Sequence, residues 1–341
     1  LGPLQITTGD VNIGTPTGGS QSLVSTLSGT GDLTKLGSGR LILSGNNSSW
    51  SGDATVSAGA LRVTSANALG VSTAPTTVKS GAALEISGGI TLDEPVVLEG
   101  GVFRNWSGNN TLKQTLTLNG TSTIDLKQDL LSLSPVKGDA VSVAPTSTAF
   151  DSNLALNGPG DVLVTQPINL RDGQTPITFG DLFHAGSGEA RFQETLLLQQ
   201  LVASGDGTLW MEQPVGTDVF GGASTLQLIL DGSTLRRDVT ETITNVELQL
   251  GARGAEINVQ SPSTILTWDA AISGSGNLSK TGDGTLRFAP SADIAYTGAT
   301  FVKEGSLDVL SSSPTTATCS GSGASNPCLL YTSDAADELR S

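Results

Sequence analysis

Few side chains in this sequence combine a reactive type with a spacing that suits catalysis. His184 is the sole histidine, and no Gly-x-Ser-x-Gly motif is present to supply a serine nucleophile beside it. A histidine without partners in defined roles does not make a proton relay. We therefore expect His184 to be a solvated residue, and the sequence predicts no catalytic residue.

Two sets of carboxylates are close enough in sequence to be candidate acid and base pairs. They are Asp93 with Glu94, and Asp238 with Glu241. Adjacent residues of a β-strand point to opposite faces, so Asp93 and Glu94 are not expected to converge on one substrate atom. Neither set predicts an enzyme.

Glycine-rich segments raise the question of cofactor or calcium binding. Gly205-Asp-Gly-Thr-Leu209 resembles half of a calcium-binding nonapeptide, as does 282–286, but no copies follow at nine-residue spacing. Gly29-x-Gly31 and its later counterpart lack the third glycine of a dinucleotide fingerprint. The sequence predicts no metal and no cofactor, and we assign these aspartates to turns.

The strongest pattern is a block that occurs twice. Its first part, Gly29, Gly31, Leu33, Lys35, Gly37, Gly39 and Leu41, recurs 245 positions later as Gly274, Gly276, Leu278, Lys280, Gly282, Gly284 and Leu286. After one additional residue, Trp50, Gly52, Gly59 and Leu61 correspond to Tyr296, Gly298, Gly305 and Leu307. Such self-similarity predicts stacked structural repeats.

Each copy contains short runs that alternate apolar and polar residues, such as Leu41-Ile-Leu43 and Leu61-Arg-Val63. That period of two is typical of strands with one buried face, and the intervening glycines allow sharp corners. Lys35 and Lys280 are expected on the solvated face, and Trp50 and Tyr296 are expected to pack within their repeats. The pattern predicts an all-β solenoid whose coils bury their apolar faces by stacking.

The two copies resemble the passenger-associated repeat of bacterial autotransporters, in which spaced glycines, leucines and a lysine precede an aromatic residue, a glycine and a closing strand. Residues 65–70 and 81–126 resemble the coils that follow such a repeat. The resemblance implies a right-handed parallel β-helix that reaches the cell surface by a type V route. It also implies an outer-membrane barrel domain, expected here in a missing C-terminal part.

The composition restricts the kinds of binding partner that we expect. The formal net charge is −15, from 17 basic and 32 acidic residues, which disfavours nucleic acid and anionic membranes. No run reaches the roughly 18 to 20 apolar residues of a membrane-spanning helix. The sequence begins at Leu1 rather than Met, so the lack of a signal peptide does not argue for a cytoplasmic location.

The C-terminal region looks foreign to the repeat. Residues 328–338 match one reading frame of a transposon adapter used in sequencing libraries, so 328–341 is interpreted as a sequencing artefact. This weakens the ordinary expectation of a disulfide between Cys319 and Cys328. Residues 311–327, rich in Ser, Thr, Gly and Pro, are interpreted as a linker or an incomplete coil.

We expect one β-helical stem over 1–310, with loop excursions near 135–145 and 165–195. The run 196–202 is ambiguous between helix and strand. Trp106 and Trp268 are expected to pack on coil edges.

The leading hypothesis is a non-enzymatic stalk at the bacterial surface or secreted from the cell. It would present an adhesive surface to a host-surface or glycan receptor, or to another copy of itself. The alternatives are a polysaccharide-active β-helix enzyme and a large exported repeat protein without an autotransporter barrel.

Overall fold

The structure is a computed structural model. It describes residues 4–6, 9–23, 26–71, 74–144, 152–171, 181–212, 226–289 and 291–310, and the backbone of 331–332. Within these ranges the regular secondary structure consists of β-strands alone. Within the same residues, no helix has the length and hydrophobicity needed to cross a membrane.

The chain divides into two compact units, residues 1–181 and 182–341. The strands of the first unit are β1 (Leu4–Ile6), β2 (Val11–Gly14), β3 (Ser20–Leu23), β4 (Leu27–Gly29), β5 (Leu33–Leu36), β6 (Arg40–Leu43), β7 (Ser49–Trp50), β8 (Ala54–Val56), β9 (Gly59–Val63), β10 (Thr76–Lys79), β11 (Ala82–Ser87), β12 (Thr91–Leu92), β13 (Val96–Glu99), β14 (Val102–Ser107), β15 (Asn110–Leu112), β16 (Leu116–Leu118), β17 (Ser122–Leu126), β18 (Leu130–Leu133), β19 (Val141–Val143), β20 (Leu154–Asn157), β21 (Asp161–Val164) and β22 (Ile168–Asn169).

The second unit has the same kind of short strand. They are β23 (Leu182–His184), β24 (Glu189–Phe192), β25 (Leu196–Leu197), β26 (Gln200–Ser204), β27 (Thr208–Met211), β28 (Leu226–Asp231), β29 (Thr234–Arg237), β30 (Glu241–Ile243), β31 (Val246–Leu250), β32 (Ala255–Asn258), β33 (Ile265–Trp268), β34 (Ile272–Gly274), β35 (Leu278–Thr281), β36 (Thr285–Phe288), β37 (Thr300–Val302), β38 (Ser306–Val309) and β39 (Tyr331–Thr332).

Within the first unit the strands form four sheets. Sheet A is β1-β4-β7, sheet B is β2-β5-β8-β10-β13-β16-β19-β22, sheet C is β3-β6-β9-β11-β14-β17-β20, and sheet D is β12-β15-β18-β21. The described strand ladders are parallel, and neighbouring strands come from successive coils. This is the topology of a β-solenoid.

The second unit is built in the same way. Sheet E is β23-β26-β28-β31-β34, sheet F is β24-β27-β29-β32-β35-β37-β39, and sheet G is β30-β33-β36-β38. Their described ladders are parallel as well.

Register sets the coil length. Val78 of β10 pairs with Leu98 of β13, so one turn takes 20 residues there. Ile124 of β17 pairs with Leu156 of β20, and that turn takes 32 residues. Because the register keeps inward positions aligned, leucine, valine and isoleucine stack on like residues along the coil interior.

The predicted all-β, parallel β-helical class is confirmed. The run 196–202 forms β25 and the start of β26, which resolves its ambiguity in favour of strand. Strand β19 lies inside the predicted excursion 135–145, and β22 to β24 lie inside 165–195. Residues 145–151 and 172–180 lie outside the described residues, and so do both cysteines. A single stem over 1–310 and an artefactual tail remain predictions.

Candidate functional site

The lysine of the first repeat copy lies inside the coil rather than on its surface. Lys35 follows Leu33 by two positions on β5, so strand alternation sends both side chains inward. Its ammonium donates hydrogen bonds to the carbonyl oxygens of Leu36 at 2.7 Å, Gly37 at 2.7 Å and Ala58 at 3.0 Å. The side chain thus links the corner after β5 to the corner between β8 and β9 in the next coil.

The second copy repeats this geometry. Lys280 of β35 donates to the carbonyl oxygens of Thr281 at 2.7 Å, Gly282 at 2.7 Å and Glu304 at 3.3 Å. Burial lowers the pKa of Lys280 to about 8, and it lowers that of Lys35 in the same direction. The expectation of solvated lysines is therefore wrong, because both occupy inward positions next to corners that offer unpaired carbonyl groups.

The glycines of the two copies have matching backbone conformations. Gly37 has a φ of 74° and Gly282 a φ of 75°, in the left-handed region that favours glycine. A Cβ atom on Gly52 or on Gly298 would lie 2.0 Å from a carbonyl oxygen of the preceding coil. Repeat glycines therefore allow both the turns and the close approach of successive coils.

The apolar repeat positions mostly line the core. Buried side chains are those of Leu33, Leu41, Leu61, Leu278 and Leu286, and Leu307 in the last described coil is half-buried. The remaining repeat glycines have Cβ positions crowded by backbone or by core side chains, or a positive φ: Gly29, Gly31, Gly39, Gly59, Gly274, Gly276, Gly284 and Gly305.

The aromatic residues of the repeats are packing elements in this geometry. Trp50 is fully buried, and its indole N–H donates to the carbonyl oxygen of Gly31 at 2.8 Å. Tyr296 is half-buried, and its hydroxyl is hydrogen-bonded to that of Thr300. Trp268 is not on a coil edge as predicted, because it occupies the inward end of β33.

His184 also faces inward, so the prediction of a solvated histidine is wrong. It follows Leu182 by two positions on β23, and only 2% of its surface is exposed. Burial lowers the pKa of His184 to about 4. Among the described residues its Nδ1 has no hydrogen-bond partner, and its Cε1 lies against Gly207.

The carboxylates singled out from the sequence do not form a catalytic pair. Asp93 is exposed and accepts from Gln114, whereas Glu94 is buried and accepts from the hydroxyl of Thr76 at 2.7 Å. Burial raises the pKa of Glu94 to about 7. The two side chains thus lie in different environments, although Asp93 and Glu94 lie in the connection between β12 and β13 rather than on a strand as assumed.

The second set is divided between two arginines. Asp238 pairs with Arg236 at 2.9 Å, and Glu241 pairs with the buried Arg237. Arg237 also donates to the carbonyl oxygen of Met211. Among the described residues, no group of histidine, cysteine and acidic side chains has a geometry that would hold a metal ion.

A cluster that the sequence analysis missed lies on the outer face of sheet C. Glu85 of β11 has a fully buried side chain, and three arginines from neighbouring coils converge on it: Arg40 at 2.8 Å, Arg62 at 2.7 Å and Arg104 at 2.6 Å. Burial raises the pKa of Glu85, but the hydrogen bonds from Arg40 and Arg104 and the charge of Arg62 outweigh burial, so its pKa lies below the ordinary value.

A β-bulge brings an indole ring to this cluster. Ile86 pairs with Asn105 and Ser87 pairs with Ser107, so Trp106 is the additional residue of β14. The guanidinium carbons of Arg62 and Arg40 lie 3.9 and 4.7 Å from the centre of its ring. Asp125 pairs with Arg104 at 2.7 Å and with Lys127 at 3.0 Å. The sheet C cluster is defined as Glu85, Arg40, Arg62, Arg104, Trp106, Asp125 and Lys127.

A second cluster lies on sheet F. Trp210 of β27 lies between Arg191 of β24 and Arg236 of β29, with guanidinium carbons 3.9 and 3.8 Å from its ring centre. Each arginine has its own carboxylate, because Arg191 pairs with Glu212 and Arg236 with Asp238. We call this set the sheet F cluster, and its charges balance.

These features define a parallel β-solenoid built from repeated coils, with lysines inside its repeat corners and clusters of arginines around one tryptophan outside. Residues 33–63 and 278–309 match the family model of the passenger-associated-transport-repeat. These segments overlap most of the two sequence copies, so both copies are similar to that repeat.

A longer similarity extends over most of the chain. The chain is 29% identical over 306 residues to the adhesin BmaC autotransporter of Brucella suis biovar 1 (strain 1330). The alignment covers 89% of this chain and 8% of that protein, so the chain spans about a twelfth of its relative. No solved structure matches the chain. The resemblance to autotransporter passengers is confirmed.

Proposed function

We propose that this chain is a non-catalytic stem segment of an autotransporter passenger that presents an adhesive surface. The observation that supports it most is the recurrence of one buried-lysine corner in both repeat copies of a parallel solenoid. The similarity to an adhesin autotransporter points the same way. Because passengers are exported, the chain is secreted or exposed at the cell surface.

The absence of enzymatic activity is part of the proposal. The carboxylates with the closest spacing are engaged by Gln114, Thr76, Arg236 and Arg237 rather than arranged around a common point. Acid and base catalysis needs two groups within reach of one substrate atom. The solenoid is thus better suited to display than to turnover.

The partners we propose are of two kinds. One is a receptor on a host surface or in a glycan coat, or another copy of the chain. The other is an outer-membrane barrel domain that would belong to the same longer polypeptide, as in autotransporters. Nucleic acid is a poor partner for a chain of net charge −15.

Adhesion of beads coated with the full chain to cultured epithelial cells tests the proposal. We expect beads coated with the full chain to attach more than beads coated with serum albumin. Equal attachment of the two would contradict the proposal. A parallel assay measures release of reducing ends from polysaccharides, and turnover above a heat-denatured control would contradict the non-enzymatic part.

A further inference from the structure

We propose that the sheet C cluster is a binding site for an acidic polysaccharide, that is, a glycan with carboxylate or sulfate groups. The inference rests on the proposed adhesive function and names the ligand class of one surface. It starts from a local charge that is opposite to that of the whole chain.

The cluster has an excess of positive charge. Its cations are Arg40, Arg62, Arg104 and Lys127, and its carboxylates are Glu85 and Asp125. The cluster therefore has a net charge of +2, whereas the chain as a whole has −15. An acidic protein that gathers arginines on one face will attract anions there and repel them elsewhere.

The arginines are fixed in place before any ligand arrives. Glu85 is buried and holds three guanidinium groups, and the Trp106 ring packs against two of them. Fixing these side chains in advance lowers the entropy lost on binding.

The guanidinium groups keep donors available. Hydrogen bonds among the described residues use Nε and Nη2 of Arg40, and Nε and Nη1 of Arg104. Nη1 of Arg40 and Nη2 of Arg104 have no such partner there. Arg40 has 29% of its side chain exposed and Lys127 has 47%, so an anion could reach both.

The neighbouring side chains favour a glycan over an acidic protein. The same face presents hydroxyl and amide groups from several coils, which are Ser20, Ser22, Ser44, Thr64, Ser87, Ser107, Thr123 and Asn157. Protein interfaces usually need a core of apolar side chains. The apolar residues on this face, Ile42, Ala60, Ala83 and Val102, are half-buried or buried, so the hydroxyls and guanidinium groups beside them suit the hydroxyl and acidic groups of a sugar chain.

The spacing of the cations also fits a polymer. Arg62 and Arg104 lie on β9 and β14, two coils apart, with Glu85 of β11 between them. Strands in a sheet are about 4.8 Å apart, so the two arginines are separated by roughly 10 Å along the coil axis. A sugar residue in an extended polysaccharide has a length similar to one strand spacing, so an acid on alternate sugars would meet alternate coils.

The experiment measures binding of the purified full chain to heparin, polygalacturonate, neutral dextran and duplex DNA, each immobilised. We expect binding to heparin or polygalacturonate that weakens as salt is added, and none to dextran. Binding confined to one of the two acidic polymers would support the proposal and identify sulfate or carboxylate as the recognised group. Equal binding to DNA, or no binding to either acidic polymer at low salt, would overturn it.

Variants assign the binding to the cluster. In Arg40→Gln/Lys127→Gln, Glu85 keeps Arg62 and Arg104, so the fold is expected to persist, with an unchanged circular dichroism spectrum. We expect its dissociation constant to rise about tenfold. The matched control is Arg191→Gln/Arg236→Gln in the charge-balanced sheet F cluster, with an expected change below twofold.

A similar loss in both variants, or a sheet C variant that keeps full affinity, would overturn the proposal. Salt-sensitive self-association lost in the sheet C variant, without glycan binding, would assign the cluster to a second copy and overturn it too. Cell attachment by coated beads that persists without glycan binding refutes this inference alone. Loss of cell attachment with intact glycan binding refutes the adhesive function alone.

Discussion

Replacing the repeat lysine by methionine should open the corner that it ties together. Lys35→Met leaves the carbonyl oxygens of Gly37 and Ala58 without their ammonium donor. A buried acceptor that loses its partner costs about 1 to 3 kcal/mol. Methionine also removes the desolvation cost of burying a charged ammonium, and the lowered pKa of Lys35 is evidence of that cost. We therefore expect a value below the upper end, a local loss of about 2 kcal/mol in opening free energy.

Native-state hydrogen exchange followed by mass spectrometry measures this loss where it occurs. A solenoid can open locally, so a single melting temperature would not isolate one corner. A loss of about 2 kcal/mol corresponds to roughly 30-fold faster exchange of the amides in β5, β6 and β9. The same change in Lys280→Met should appear in β35, β36 and β38.

The control is Lys79→Met. Lys79 is 44% exposed and pairs with Glu99 on the surface of sheet B, and such pairs contribute at most about 1 kcal/mol. Equal exchange rates in Lys35→Met and Lys79→Met would refute the reasoning that the buried ammonium stabilises the corner. So would rapid modification of Lys35 by an amine-reactive reagent in the folded chain.

Three further predictions follow from the same geometry. Gly52→Ala places a Cβ 2.0 Å from a carbonyl oxygen and should cost about 1 to 3 kcal/mol in local exchange, whereas Gly9→Ala, with open space around it, should cost less than about 0.5. His184 has a pKa of about 4 when folded and 6.5 when unfolded, so the unfolded chain binds more protons and acidification from pH 7 to 4 should destabilise its coil by about 3 kcal/mol. His184→Leu should remove that acid sensitivity, and unchanged sensitivity would refute the assignment. Glu94 has the opposite shift, to about 7, so its coil should lose stability as the pH rises from 4.5 through 7, and Glu94→Gln, which still accepts from Thr76, should exchange more slowly than wild type at pH 8.

The doubled block was sufficient to predict the fold, because a solenoid is set by local repetition. Glycine spacing fixes where strands end, and alternation fixes which side chains face inward. The same alternation, applied to Leu33 and Lys35 or to Leu182 and His184, would have placed the lysine and the histidine inside. The predictions for these residues were wrong because the position of a residue along a strand, and not the polarity of its side chain, sets the face on which it lies.

The sheet C cluster could not be predicted in this way. Arg40 and Glu85 are 45 residues apart, and they meet only because β6, β9 and β11 stack in a particular register. The bulge at Trp106 adds one residue to the coil and has no clear sequence signal. Contacts across coils depend on the length of each turn, which varies from 19 to 32 residues in the first unit.

Cations on the two sides of the coil wall have different consequences for mutation. Lys35 inside has carbonyl partners from its own corner and the next one, so its loss should weaken the fold and every function that depends on the fold. Arg40 outside shares Glu85 with two other arginines, so its loss leaves that carboxylate paired. Stability and ligand binding should therefore separate by face: Lys35→Met should speed exchange throughout its coil, whereas Arg40→Gln should change affinity for an acidic glycan at an unchanged exchange rate. Faster exchange in both variants would mean that the arginines, like the lysine, serve the fold.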